Sequence, residues 1–266
     1  MIRNYQDLTT KEMSAVDKER TVVLIPLGAI EQHGPQAPLG TDYMIACAMP
    51  QYIKRELEAV DPDYPMLIFP AIPVGLSVEH MNFSGTITMR PDHYYSMLYD
   101  IAQSLAEHGF RKLAFLICHG GNRACADILS RQLRHDFGIY AFVLASGAFS
   151  DPEVLSTISE GNTWDFHGGE METSMVMALH PETVKLEEAK TGYKKGGYSQ
   201  KGAINFSNAT ALPWMAEDLE TEDGTPIGIG GNPKGATAEK GEIILTRSAK
   251  ALIPAFLEIR DWKIQK

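Results

Sequence analysis

Four short apolar runs punctuate the first half of the chain: residues 21–28 (TVVLIPLG), 66–74 (MLIFPAIPV), 112–120 (KLAFLICHG) and 139–146 (IYAFVLAS). None of them alternates apolar with polar positions. Unbroken apolar runs suit strands covered on both faces, as in a parallel sheet. Between the runs the period lengthens to that of a helix. Residues 43–60 carry apolar side chains at helical spacing, although Pro50 must kink that helix or mark a late start. Residues 91–110 open on a proline and stop at Gly109, and residues 122–138 repeat the pattern and stop at Gly138. Strands alternating with helices predict an α/β fold around a largely parallel sheet.

The second half is less regular. ETSMVMAL enters a helix that must end by Pro181, and residues 236–262 read as a final helix covering the sheet. From about 185 to 235 the chain is rich in Gly, Lys, Asn and Thr, which marks a long loop-bearing region: a lid, an intersubunit arm or an active-site wall. No repeat, low-complexity tract or linker divides the sequence, so residues 1–266 read as a single domain.

Composition narrows the function. The hydrophobic content of 44% supports a substantial core, and the net charge of −10 argues against nucleic acid and anionic membrane surfaces as partners. The N-terminal twenty residues are polar and charged throughout, unlike a signal peptide, and no apolar stretch approaches the roughly 18 residues of a spanning helix. Three dispersed cysteines (Cys47, Cys118 and Cys125) form no disulfide framework or zinc-knuckle spacing, and read as reduced thiols of a cytoplasmic protein.

Three segments carry the candidate chemistry. AIEQHGPQAPLGTD follows the first apolar run and brings Glu31, His33 and Asp42; extended backbone would put Glu31 and His33 on one face. LICHGGNRA ends the third run in His119. DFHGGEMETS packs Asp165, His167, Glu170 and Glu172 into the entry of a helix. Imidazoles and carboxylates in this density are a divalent-metal vocabulary suited to Zn, Mn, Fe or Co. Each segment also has a plain structural reading: Asp42 as a helix N-cap, His119 in a tight turn, and acidic residues favoured at a helix N-terminus. Loops at strand C-terminal ends form the usual crevice of such sheets, and the first two segments sit there. The phosphate-loop, dinucleotide, nucleophile-elbow and HExxH patterns are all absent.

Taken in order with GLSVEHMNFSGTITMRP, these segments resemble the creatininase (creatinine amidohydrolase) family. The resemblance implies a three-layer α/β/α fold, a binuclear centre holding two divalent ions (Zn, Mn or Fe), and a homo-oligomer, commonly a hexamer. Carried over by residue, Glu31, His33 and Asp42 match the first metal motif with Asp42 bridging, His119 matches the turn histidine, and His167 matches a proton shuttle near the substrate. Creatininase proper has a Tyr-Glu pair after the turn histidine, and here those positions are Gly120 and Gly121. Glu172 is therefore the candidate for the last ligand, with Glu170 orienting His167 or fixing a ligand.

Creatininase also encloses its substrate between tryptophans. Trp164 lies beside a motif, whereas Trp214 falls in the variable loop region. His80, Asn82 and Ser84, with Trp164, are expected to line the pocket of a small-molecule substrate. The implied reaction is hydrolysis of a C–N bond in a small polar cyclic amide or formamide by metal-activated water. The alternatives are hydrolytic C–C ring cleavage of a keto-cyclitol, and a metal-bound structural subunit without turnover.

Overall fold

The computed structural model describes residues 1–145, 151–159, 165–194 and 212–264. Its centre is a five-stranded sheet of β1 (Ile2–Asn4), β2 (Val22–Leu27), β3 (Met66–Ile68), β4 (Lys112–Ile117) and β5 (Tyr140–Ala145), ordered β1-β3-β2-β4-β5. All four pairings are parallel, with Val22 registered against Met66 on one side and Lys112 on the other. The four apolar runs supply β2 to β5. The edge strand β1 comes from a segment that reads as polar, and the run at 66–74 is strand only to Ile68.

Because successive strand residues face opposite ways, each central strand feeds two cores. Val22, Leu24, Ala114 and Leu116 join Ile45, Met49, Ile53 and Leu57 of α2 (Thr41–Val60), with residues of α6 (Glu170–Leu179) and α7 (Ala238–Asp261). Val23, Ile25, Leu113 and Phe115 join Tyr94, Leu98 and Leu105 of α3 (Pro91–Glu107) and Leu129 and Leu133 of α4 (Arg123–Phe137). The layers are therefore α/β/α. Short helices α1 (Thr10–Ser14) and α5 (Pro152–Thr157) and a small antiparallel pair, β6 (Tyr193–Lys194) with β7 (Leu219–Glu220), complete the described elements. Pro50 lies inside α2, which runs through it with its apolar face buried.

This topology fixes where a site can form. The neighbouring strands β2 and β4 lead into α2 and α4, which pack on opposite faces of the sheet. Their exits diverge and leave a crevice at the strand C-termini, the switch point of a doubly wound sheet. Asn122 braces it: its side-chain amide donates to the Gly28 carbonyl at 3.0 Å, and its oxygen accepts from the Leu76 N–H at 3.0 Å. Three loops are thereby tied around one buried residue.

Helices α6 and α7 lie so close that a Cβ on Gly241 would stand 1.9 Å from the Ser174 carbonyl oxygen. Helix propensity alone favours alanine over glycine by about 1 kcal/mol. Gly241→Ala should nevertheless lower the unfolding free energy in urea by about 1–3 kcal/mol, through overpacking against backbone. A stabilised variant would show that α6 is free to move away from α7.

Candidate metal centre

The turn after β2 folds back on itself: the Glu31 N–H donates to the Leu39 carbonyl at 2.9 Å, closing the proline-bearing loop and bringing the start of α2 beside the strand end. Asp42 does not cap that helix. The N-cap is Gly40, without a side-chain bond, and the Asp42 carboxylate turns into the crevice. One of its oxygens, Oδ1, lies 3.5 Å from His33 Nε2, and the other, Oδ2, lies 3.2 Å from His119 Nδ1. Glu31 Oε1 lies 3.3 Å from both His119 Nδ1 and His80 Nε2, and 3.7 Å from His167 Nδ1. From the first turn of α6, Glu172 Oε2 comes to 3.7 Å from His33 Nε2 while accepting the Gly168 N–H at 2.6 Å.

These groups are dry: Glu31 is 0% exposed, His33 1% and Asp42 2%. Yet both oxygens of Glu31, Asp42 Oδ2 and His33 Nε2 lack a well-formed hydrogen bond. Atoms that approach one another to little over 3 Å without hydrogen-bond alignment are aimed at a shared central point. The far side of each ring is held by backbone. His33 Nδ1 meets the Glu31 carbonyl at 3.1 Å, His119 Nε2 meets the Leu76 carbonyl at 2.7 Å, and His167 Nε2 meets the Gln32 carbonyl at 3.0 Å. In the neutral ring, each such bond places the proton outward and leaves a lone pair facing the centre, as ligand histidines require. Among the described residues, three sets of potential ligands have donor atoms within 4.8 Å of one another: Glu31, His33 and Asp42; His33, His167 and Glu172; and Glu31, His80 and His167.

Charge balance divides the histidines. Burial opposes a charged His33, but Asp42, Glu172 and Glu31 outweigh it and hold its pKa up to about 10. His119 is likewise raised against burial by Glu31 and Asp42. Asp42, despite burial, is held far below the usual carboxylate range by His33 and His119. Burial pulls His80 down to about 4 against the attraction of Glu31, and it holds His167 well below the usual imidazole range, with His33 and His80 beside it adding to the effect. Glu172 is pushed by burial up to about 7, with Asp42 adding to the push and His33 opposing it.

The other predicted residues fare differently. Glu170 is buried, but among the described residues its carboxylate takes the Ser159 N–H and hydroxyl and the Lys240 ammonium, not His167. It occupies the helix position that faces α7, and these contacts tie α6 to α7. Asn82 and Ser84 are exposed, and Asn82 donates to Glu217 at 2.7 Å, so of these three residues only His80 is turned inward. Trp164 lies outside the described residues. Trp214 instead stands over the site, its ring 5.3 Å from His80 and 5.7 Å from His167, with Phe166 packed on it. No local signal in the irregular region marked Trp214 apart from its being a tryptophan. Position 121 is closed to any side chain, since a Cβ there would stand 2.2 Å from the Leu76 carbonyl oxygen.

A family model described as Creatininase: Creatinine amidohydrolase matches residues 6–256. The chain belongs to the creatininase family. It is 30% identical over 248 residues to a mycofactocin precursor peptide peptidase of Mycobacterium ulcerans (strain Agy99), covering 90% of this chain and 85% of the relative. Identity to the creatinine amidohydrolase of Pseudomonas putida is 28% over 269 residues, covering 95% of each. A 3-dehydro-scyllo-inosose hydrolase of Thermotoga maritima is 24% identical over 263 residues, covering 96% of this chain and 80% of the relative. A manganese form of creatininase superimposes with a TM-score of 0.74 at 26% identity over 96% of this chain and 97% of that one. Creatininases are hydrolases, and a zinc–zinc form of a creatininase variant, with a TM-score of 0.72 at 26% identity and 96% of both chains covered, is also similar. Among the described residues, no helix is long and apolar enough to cross a membrane.

A creatininase-type centre in this chain must exchange protons for metal. Below a pH of about 10, His33 of the metal-free protein carries a proton that coordination has to displace. Zinc titration in buffers of different ionisation enthalpy should therefore show proton release at neutral pH, and affinity should rise from about pH 6 to about pH 8. An affinity that is flat or falls across that range contradicts this electrostatic account.

Proposed function

We propose that this creatininase-family hydrolase cleaves a C–N bond of a small polar cyclic amide or formamide at a centre holding two divalent ions. One position is formed by Glu31, Asp42 and His119, and the other by His33, Asp42 and Glu172. The observation that carries this reading is the division of Asp42, whose two oxygens face two different histidines, as a bridging carboxylate would. The donor set is imidazole and carboxylate, which suits Zn, Mn or Fe without selecting among them. Divalent ions bound there would lower the pKa of water toward neutrality and polarise the scissile carbonyl.

The protein's own part is proton management and enclosure. His167 is neutral, with its Nε2 proton engaged by the Gln32 carbonyl and its Nδ1 lone pair turned inward. It is placed to take a proton from the attacking water and pass it to the leaving nitrogen. Trp214 and Phe166 give the crevice an apolar wall against which a flat ring can lie.

A second reading, hydrolytic C–C cleavage of a keto-cyclitol ring, is favoured by the similarity to the inosose hydrolase. The same machinery would deliver the proton to carbon. A peptide amide joins the panel because another relative is a peptidase by name.

Metal-loaded protein assayed against lactams, formamides, short peptides and a keto-cyclitol, with product analysis, should release amine or ammonia from the amide members. Ring opening of the keto-cyclitol alone would favour the second reading, and no turnover with metal bound would favour a structural subunit. On the amide that is turned over, His167→Ala should keep the metal content and lose about 10²- to 10⁴-fold in kcat. Loss of bound metal in that variant would make His167 a ligand and not the shuttle.

A further inference from the structure

His80 has the position of a metal ligand: it is 1% exposed, and its Nε2 lies 3.3 Å from Glu31 Oε1, in the same set as His167. Its other ring nitrogen decides otherwise. His80 Nδ1 lies 2.8 Å from the side-chain amide nitrogen of Gln32. Which end of that amide is nitrogen is fixed by two backbone groups. The Gly34 N–H donates to Gln32 Oε1 at 3.0 Å, and Gln32 Nε2 donates to the Gly228 carbonyl at 2.6 Å. A flipped amide would set donor against donor at Gly34 and acceptor against acceptor at Gly228.

The amide has a second hydrogen, and two ring nitrogens compete for it. His167 Nε2 is 3.2 Å away but engages the Gln32 main-chain carbonyl at 3.0 Å, so it is itself a donor. The hydrogen therefore goes to His80 Nδ1, which accepts it through its lone pair. A ring proton at Nδ1 would abut the amide proton, so the His80 proton sits on Nε2, the nitrogen that faces Glu31. An N–H has no lone pair to give a cation.

From this we infer that His80 is not a metal ligand but a positioning residue. Gln32 sets its tautomer, and its Nε2–H points positive charge at Glu31 Oε1 from 3.3 Å, which steadies the carboxylate electrostatically without a well-formed hydrogen bond. The same glutamine, through its carbonyl, gives His167 the opposite arrangement, with Nδ1 left open toward the centre. One residue thus sorts two stacked histidines, whose rings are 4.4 Å apart, into a donor and an acceptor. The inference rests on the metal-centre reading of the preceding section, and it goes beyond that reading by removing a geometrically eligible ligand from it.

The test uses zinc as the probe. Zinc-loaded wild type, His80→Ala and His80→Gln would be compared by metal analysis, zinc affinity and X-ray absorption, which counts imidazoles around the ion. His80→Ala should keep the zinc stoichiometry and imidazole count while affinity falls about 10- to 100-fold, the range for loss of a group that orients a ligand. His80→Gln, which retains an N–H donor, should recover most of that affinity. Loss of one imidazole from the zinc shell in either variant overturns the inference and leaves the metal centre standing.

Failure of wild type to bind zinc overturns both. Independently of any variant, nitrogen-15 NMR of histidine-labelled, metal-free wild type should show His80 with its proton on Nε2 and an acceptor-type Nδ1. The opposite tautomer overturns the inference.

Discussion

The structure depends on two carboxylates, Glu31 and Asp42, buried where strands β2 and β4 end and turned toward each other's histidines. Taking a carboxylate out of water costs several kcal/mol unless opposite charge or hydrogen bonds replace the lost hydration. Here the hydrogen bonds are not made: three of the four carboxylate oxygens lack a well-formed partner. Compensation comes from the surrounding imidazoles, which is why His33 and His119 hold protons so firmly in the metal-free chain. Protons and divalent cations are alternative fillings of one negative pocket, and the pocket is what the fold preserves.

Much of the architecture can be understood as support for that pocket. The parallel sheet brings the ends of β2 and β4 together while α2 and α4 leave on opposite faces. Backbone carbonyls of Glu31, Gln32 and Leu76 hold the outer nitrogens of His33, His167 and His119. Helix α6 delivers Glu172, and α6 is itself fixed by Gly241 of α7 and by the ion pair of buried Glu170 with half-buried Lys240. Asp165 accepts the N–H groups of Glu170 and Met171 at the start of α6, while Glu172 accepts the Gly168 N–H with the same oxygen that faces His33.

What the sequence made legible follows from which interactions are local. The apolar runs of β2 to β5 and the helices between them are written in hydrophobic periodicity, so the α/β class could be read directly. Glu31, His33, His119 and Glu172 stood in segments too polar for the strand and helix ends they occupy. Strand β1 was missed because three residues, Ile2–Asn4, pair only at the sheet edge, where one buried isoleucine suffices. The split between Glu170 and Glu172 turned on helical phase against α7, and Asn82 and Ser84 on the exposed side of their loop; neither is visible without the packing. Apart from Gly34, Gln32 acts through partners 48 to 196 residues away, and Trp214 acts through positions 80, 166 and 167. No spacing rule reaches that far.

The claim on which the account stands is that Asp42 joins two ion positions. It is tested most directly by counting bound ions and measuring their affinity in Asp42→Asn, which keeps the side chain's size and removes its charge. The account predicts two zinc ions per chain in the wild type, and in the variant the loss of at least one ion with weakened binding of any that remains. Two ions bound by Asp42→Asn with unchanged affinity would contradict it.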